Sequence, residues 1–272
     1  MKKLNLMLHC GARHVSRKEV MDAPVSPSLG SRHKPIAHGE LVNMLTSGIK
    51  DYGMEVVQEA HGLFGRRGGP QADRWFGMFQ VAGGDGANHD DYGFVFGLRN
   101  SHDQTFPAGL CLGNGVFVCD NLAFNAEIVL KTRHTTNIMD RLPGIFSRAM
   151  GSLVQARTTQ DKRIETYKDS ALTDADAHDL ILRSYKAGAV MPSRIAKVYE
   201  QWHNPEHDEF KPRTMWSLYN NFTEVWKQSS IIDLPRKTAA LDGLLDAECG
   251  LVTNAASDIR QALTDNEDVV VA

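Results

Sequence analysis

From His38 to Ile49 the apolar residues Leu41, Val42, Leu45 and Ile49 recur at helical spacing, and Gly53 follows Tyr52 as a stop, so the pattern predicts a short amphipathic helix. The period then changes. Met54 to Leu63, Arg74 to Val81 and Tyr92 to Leu98 are rich in aromatic and β-branched residues. The turns Arg66-Arg67-Gly68-Gly69-Pro70 and Gly83-Gly84-Asp85-Gly86 separate them, which predicts an antiparallel meander. Ala108 to Cys111 and Val116 to Cys119 extend it as two strands, with Gly113-Asn114-Gly115 between them read as a hairpin turn. Beyond about Leu142 the period is helical again. Ile145 to Arg157 opens this half, and Thr173 caps a helix with Asp174 and Asp176 in its first turn that runs to about Lys186 before Gly188. Another helix starts near Pro192-Ser193, with Ile195, Val198, Tyr199 and Trp202 at helical spacing. After the polar loop Asn204 to Pro212, the segment from Met215 to Gln228 carries Trp216, Tyr219, Phe222, Val225 and Trp226 largely on one side, a stripe expected to be core.

Val15 to Pro35 contains Pro24, Pro27, Gly30 and Pro35 and reads as an arm rather than a packed element. The organisation that follows is an N-terminal strand and flexible arm over 1–35, then one α+β domain over 36–240. Within it the sheet occupies about 54–132 and the helical part about 142–240. Residues 241–272 read as a C-terminal helix and acidic tail, with Thr264 to Asp268 frayed and solvated. The expected fold class is therefore α+β: an antiparallel β-meander preceded by a short helix and covered by C-terminal helices, with a separate helical subdomain as the alternative. The same succession occurs in ring-forming single-strand annealing proteins, an architectural analogy that does not fix function.

With 272 residues, 42% of them hydrophobic, the chain can bury a substantial core. No run approaches the roughly 20 apolar residues of a membrane helix. The stretch from Met1 to Cys10 starts with Lys2 and Lys3, as a signal peptide does, but its apolar region is short. It reads as a strand, with the cytoplasm of a bacterial host as the expected compartment and no membrane partner. Cys10, Cys111, Cys119 and Cys249 form no CxxC, which argues against a zinc ribbon or a disulfide framework; Cys111 and Cys119 read as small core residues. The net charge of −3 is unevenly spread, with a basic front and an acidic stretch from Ser229 onward, compatible with nucleic-acid contact at one end.

Two segments carry a resemblance. Leu98-Arg99-Asn100-Ser101-His102-Asp103-Gln104-Thr105 is followed at close spacing by Gly113-Asn114-Gly115-Val116-Phe117-Val118-Cys119-Asp120-Asn121. Together they resemble the signature of the phage- and plasmid-borne family called domain of unknown function 932: an Asn-Ser-His-Asp turn after a strand, then a strand ending in Val-Cys and a polar pair. Arg133-His134 stands where that family often carries an Arg-His pair, and Trp202-His203-Asn204-Pro205, Phe210-Lys211 and Thr214-Met215-Trp216-Ser217-Leu218-Tyr219-Asn220 resemble its shorter members. The resemblance covers about residues 30–240. It implies a protein of mobile genetic elements and brings no established catalytic mechanism with it. His38-Gly39 departs from the Pro-Thr of many relatives, which implies a different start to the first helix.

Asn100, Ser101, His102 and Asp103 are short polar residues that hydrogen-bond their own backbone well, which suits a turn. A functional alternative takes His102 and Asp103, with Asp120 and His134 from neighbouring strands, as ligands for a divalent cation or as an acid/base group in a metal-dependent hydrolase. Ser101 and His102 are no nucleophile pair, because adjacent strand residues point to opposite faces. Gly65-Arg66-Arg67-Gly68-Gly69 lacks the phosphate-loop pattern. Arg66, Arg67, Arg74, Trp75 and Phe76 combine cations that neutralise phosphate with rings that stack on bases, a composition suited to single-stranded nucleic acid. The leading expectation is a non-enzymatic accessory protein that contacts single- or double-stranded DNA in recombination, replication or DNA protection. A second is an inhibitor that binds a host defence protein through its acidic tail, and the hydrolase is third. Oligomeric state is open.

Overall fold

The change of period at Met54 becomes a passage from helix to sheet in the computed structural model. It describes residues 12–30, 33–65, 71–84, 92–116, 122–130, 138–227, 233–251 and 269–271, together with Lys3, Leu6 and Ser229. Five long strands, β2 (Met54–Phe64), β3 (Arg74–Gly83), β4 (Tyr92–Ser101), β5 (Gly109–Val116) and β6 (Leu122–Leu130), are flanked by β1 (Arg13–Val15) and β7 (Val269–Val271). The sheet order is β1-β2-β3-β4-β5-β6-β7, every neighbour antiparallel. With the helices α1 (Arg17–Met21), α2 (His38–Asp51), α3 (Ile138–Asp169), α4 (Asp174–Ala187), α5 (Ile195–His203), α6 (Met215–Trp226) and α7 (Leu234–Glu248), the chain is α+β. Among the described residues no helix is long and apolar enough to cross a membrane.

Alternation along β3 splits the core in two. Trp75, Phe79 and Val81 join Phe94, Phe96 and Leu98 of β4 in the large cluster shared with the helices, whereas Phe76, Met78 and Val95 form a smaller cluster on the other face. β3 is buried on both sides, which explains its nearly continuous apolar run. A Cβ at Gly77 would lie 2.5 Å from Trp75 Cζ2 and 2.9 Å from Phe79 Cε2, so only glycine leaves room for both rings. Over the large cluster lies α2, with Leu41, Leu45 and Ile49 fully buried; each such side chain contributes about 1.5–3 kcal/mol. α6 is buried on almost every side, as a central helix must be, and its aromatic stripe is core.

α4 has the ends read from the sequence: Thr173 forms a capping box with Asp176, and Gly188 closes it at φ 84. α3 and α7 are tied by a buried ion cluster. Arg163 Nη2 donates to Asp246 Oδ2 at 2.7 Å and Nη1 to Asp242 Oδ2 at 3.2 Å, while Tyr167 donates to Asp246 Oδ1 at 2.8 Å.

Some expectations change. Within the segment read as a loop, Ser16 and Glu19 form a capping box that starts α1, and burial of Val20 holds it in place. Gly113-Asn114-Gly115 is no hairpin turn. It lies inside β5, paired with Val95, Phe94 and Gly93 on one side and with Phe124, Ala123 and Leu122 on the other. The glycines mark a register shift between Leu112 and Gly113, and irregularity is the second meaning of glycine in a strand. α3 begins at Ile138, ahead of Ile145. α7 spans the boundary drawn at 240/241, and Val269–Val271 pair with β6 as an edge strand. Tyr199 is 48% exposed and does not share the core face of α5. Of Met1 to Cys10 only Lys3 and Leu6 are described, and Cys119 and Thr264 to Asp268 lie outside the described residues.

Candidate functional site

Register brings the start of β3 against the end of β4, with Arg74 opposite Ser101 and Trp75 opposite Asn100. Asn100 and His102 then face the helical layer, where they meet the segment leading into α2. Asn100 Nδ2 donates to the Ile36 carbonyl at 2.8 Å and to His38 Nδ1 at 3.0 Å, and His38 Nε2 donates to the Ala72 carbonyl at 2.9 Å. His102 Nε2 donates to the Ile36 carbonyl at 2.9 Å, and its Nδ1 accepts the Ser26 N–H at 3.4 Å. A ring nitrogen facing a carbonyl carries the proton and one facing an N–H is bare, so both imidazoles are neutral Nε2–H tautomers. Their rings stack at 4.1 Å with 3° between planes. Burial, reinforced by His102, pushes the His38 pKa down to about 3 against the opposing bond to Ala72. Burial lowers His102 as well, opposed by its bond to Ile36.

His102 therefore presents no lone pair to a metal or a substrate proton; it binds the N-terminal arm to the sheet. Ser101, on the opposite face, donates to the Phe106 carbonyl at 2.6 Å and accepts the Phe106 N–H at 3.2 Å. Asp103 Oδ2 takes Nε and Nη2 of Arg74 at 2.9 and 2.8 Å, and Oδ1 takes the Thr105 N–H at 3.2 Å. Burial works against its ionisation, but these bonds hold its pKa below the ordinary aspartate value. His102 and Asp103 thus point to different partners and share no ligand position. Asp120 and His134, like Cys119, Asn121, Arg133, Arg66 and Arg67, lie outside the described residues. Glu206, His207 and Glu224 do bring three ligand atoms within 4.8 Å of one another. That group was not legible in sequence, and Glu224 is already paired with Lys227 at 2.7 Å.

The nucleic-acid surface needs one correction. Trp75 is 0% exposed, with His38 and His61 each 5.8 Å away between ring centroids, so its indole is core and offers no stacking platform. The reason is parity: Trp75 and its neighbours Arg74 and Phe76 point to opposite faces. On the other face of β3 a different group assembles, against which Leu234 of α7 also packs. Phe64 and Phe76 stack at 5.6 Å with 6° between planes, and Phe106 joins at 5.3 Å from Phe76. The Arg74 guanidinium sits 5.7 Å from the Phe64 ring and that of Arg99 5.7 Å from the Phe106 ring. Phe64, Arg74 and Arg99 are partly exposed, Phe76 and Phe106 nearly covered. Arg99 is the residue that sequence reasoning missed; pairing Arg99 with Phe76 across the strands would have found it.

A family model described as Domain of unknown function (DUF932) matches residues 27–248. No curated protein and no solved structure matches the chain.

Proposed function

The chain belongs to the family described as Domain of unknown function (DUF932), and from that premise we propose that it acts by binding, as a phage- or plasmid-encoded accessory protein that contacts DNA through the sheet face that carries Arg74 and Arg99. The observation that carries this reading is the pair of guanidiniums, Arg74 and Arg99, laid over Phe64 and Phe106. A guanidinium on a ring is preorganised and weakly hydrated, ready to meet phosphate, and the partly exposed Phe64 adds a surface on which a base can stack. Asp103 neutralises part of Arg74, and the sequence adds Arg66 and Arg67 between β2 and β3. Binding is favoured over hydrolysis because both nitrogens of His102 are engaged by backbone.

Two variants test it: Arg99→Gln, and Arg66→Glu combined with Arg67→Glu. Each should bind a labelled single strand more weakly and lower the salt slope by about 0.7 for each phosphate that is no longer neutralised, with the melting profile retained. Unchanged affinity in both variants would remove this face from consideration.

A further inference from the structure

The loop after α5 packs back on α6 through the one-turn helix Asp208–Phe210, anchored by the buried Phe210. It brings Glu206 and His207 to Glu224 in the last turn of α6, with one ligand atom of each within 4.8 Å of the others. All three keep lone pairs to spare. Glu224 Oε1 accepts from Lys227 Nζ at 2.7 Å, but Oε2 is buried and accepts no hydrogen bond among the described residues, on a side chain only 12% exposed. A buried acceptor left in that state is costly, and in a native fold it calls for a water or an ion. His207 stands edge-on to Phe210, with ring centroids 5.7 Å apart and 84° between planes, and neither of its ring nitrogens is hydrogen-bonded among the described residues. Glu206 Oε1 accepts one long bond, from Gln201 Nε2 at 3.4 Å. Asn221, a neighbour of Glu224 on the helix surface, is 1% exposed with neither amide atom hydrogen-bonded among the described residues, a second buried polar group on this stretch of α6 that calls for a water.

We propose that Glu206, His207 and Glu224 bind a divalent transition-metal ion of the zinc class, which ties the loop between α5 and α6 to α6. Two carboxylates this close repel unless a cation stands between them, and Lys227 at Oε1 leaves Oε2 for the ion. The imidazole nitrogen favours zinc over magnesium or calcium, which take oxygen ligands. Bonds to zinc of about 2.0–2.2 Å place neighbouring ligand atoms roughly 3.4 Å apart, so a small rotation, easiest for the exposed Glu206, closes the cluster around the ion. Three protein ligands leave a fourth position for water. The site shares no residue with His102 and Asp103 or with the Arg74 and Arg99 face, and it does not rest on the DNA reading.

The test is zinc chloride titrated calorimetrically into the full chain after treatment with a chelator and its removal, with thermal unfolding in zinc and in magnesium beside it. Zinc should bind and raise the melting temperature in a saturable way, as binding to the folded state requires, and magnesium at the same concentration should not. His207→Ala and Glu224→Gln should each weaken zinc binding at least tenfold, measured at temperatures where the variant is folded; the amide of the second can still accept from Lys227. The rival site is the imidazole pair His178 and His203, whose Nε2 atoms lie 3.0 Å apart. His203→Gln breaks that pair and should leave the zinc affinity unchanged. No saturable zinc binding, binding that survives both His207→Ala and Glu224→Gln, or binding lost in His203→Gln instead would overturn the proposal, and none of these results bears on Arg99.

Discussion

Mild acid should loosen the join between the N-terminal arm and the sheet, and His38 sets the size of the effect. Its pKa is 6.5 in a free imidazole and about 3 in the fold. Because the folded value is depressed, the unfolded chain binds more protons between these limits. The stability contribution of His38 is complete above pH 6.5 and is lost as pH falls toward 3, by about 1.4 kcal/mol per unit. At pH 5 the loss is about 2 kcal/mol, and His102, shifted in the same direction, adds to it. The upper part of this window, down to about pH 5, lies above the ordinary carboxylate range, which separates the effect there from acid unfolding in general. The variant His38→Gln isolates it: an amide can still donate to Ala72 and accept from Asn100, but it does not titrate. Urea unfolding of both proteins at pH 7 and pH 5 gives the comparison. His38→Gln should be less stable at pH 7 by about 1 kcal/mol for the missing ring stack, and should lose about 2 kcal/mol less than wild type on going to pH 5. Parallel losses in the two proteins would refute the neutral, buried assignment of His38.

Other substitutions probe the same framework. His102→Ala removes the stacked ring and a donor to Ile36, and should lower stability by about 2–4 kcal/mol without changing DNA affinity at temperatures where the variant is folded; titration calorimetry together with melting separates the two. Gly77→Ala drives a methyl into Trp75 and Phe79 and should cost about 1–3 kcal/mol, read as a lower urea midpoint at unchanged slope. Asp246→Ala leaves Arg163 buried with much of its charge uncompensated, and should cost about 3–5 kcal/mol in the same assay.

Periodicity made the long elements legible: α2, the β2–β3–β4 meander, both ends of α4 and the aromatic helix α6 all follow from local spacing and caps. Gly113-Asn114-Gly115 misled because a hairpin turn and an irregular stretch within a strand use the same residues, and only the partner strands on either side distinguish them. The candidate site was half legible. Asn100, Ser101, His102 and Asp103 stood out as a group, yet the roles of Asn100 and His102 depend on Ile36, Ser26 and His38, which lie more than sixty residues away in the chain. Trp75 and Arg99 were misjudged for a simpler reason. Which side of a strand a residue faces follows from alternation, but which side is core depends on where the helices pack.

Whether the Arg74 and Arg99 face meets DNA is decided by binding of the purified chain to labelled single- and double-stranded DNA across a salt series. Contact through several phosphates requires affinity to fall linearly with salt on logarithmic axes, by about tenfold or more over a few-fold rise in concentration, and Arg99→Gln should flatten that line. No binding at low salt, or binding indifferent to both salt and Arg99, would rule out DNA contact through this face and turn attention to a protein partner.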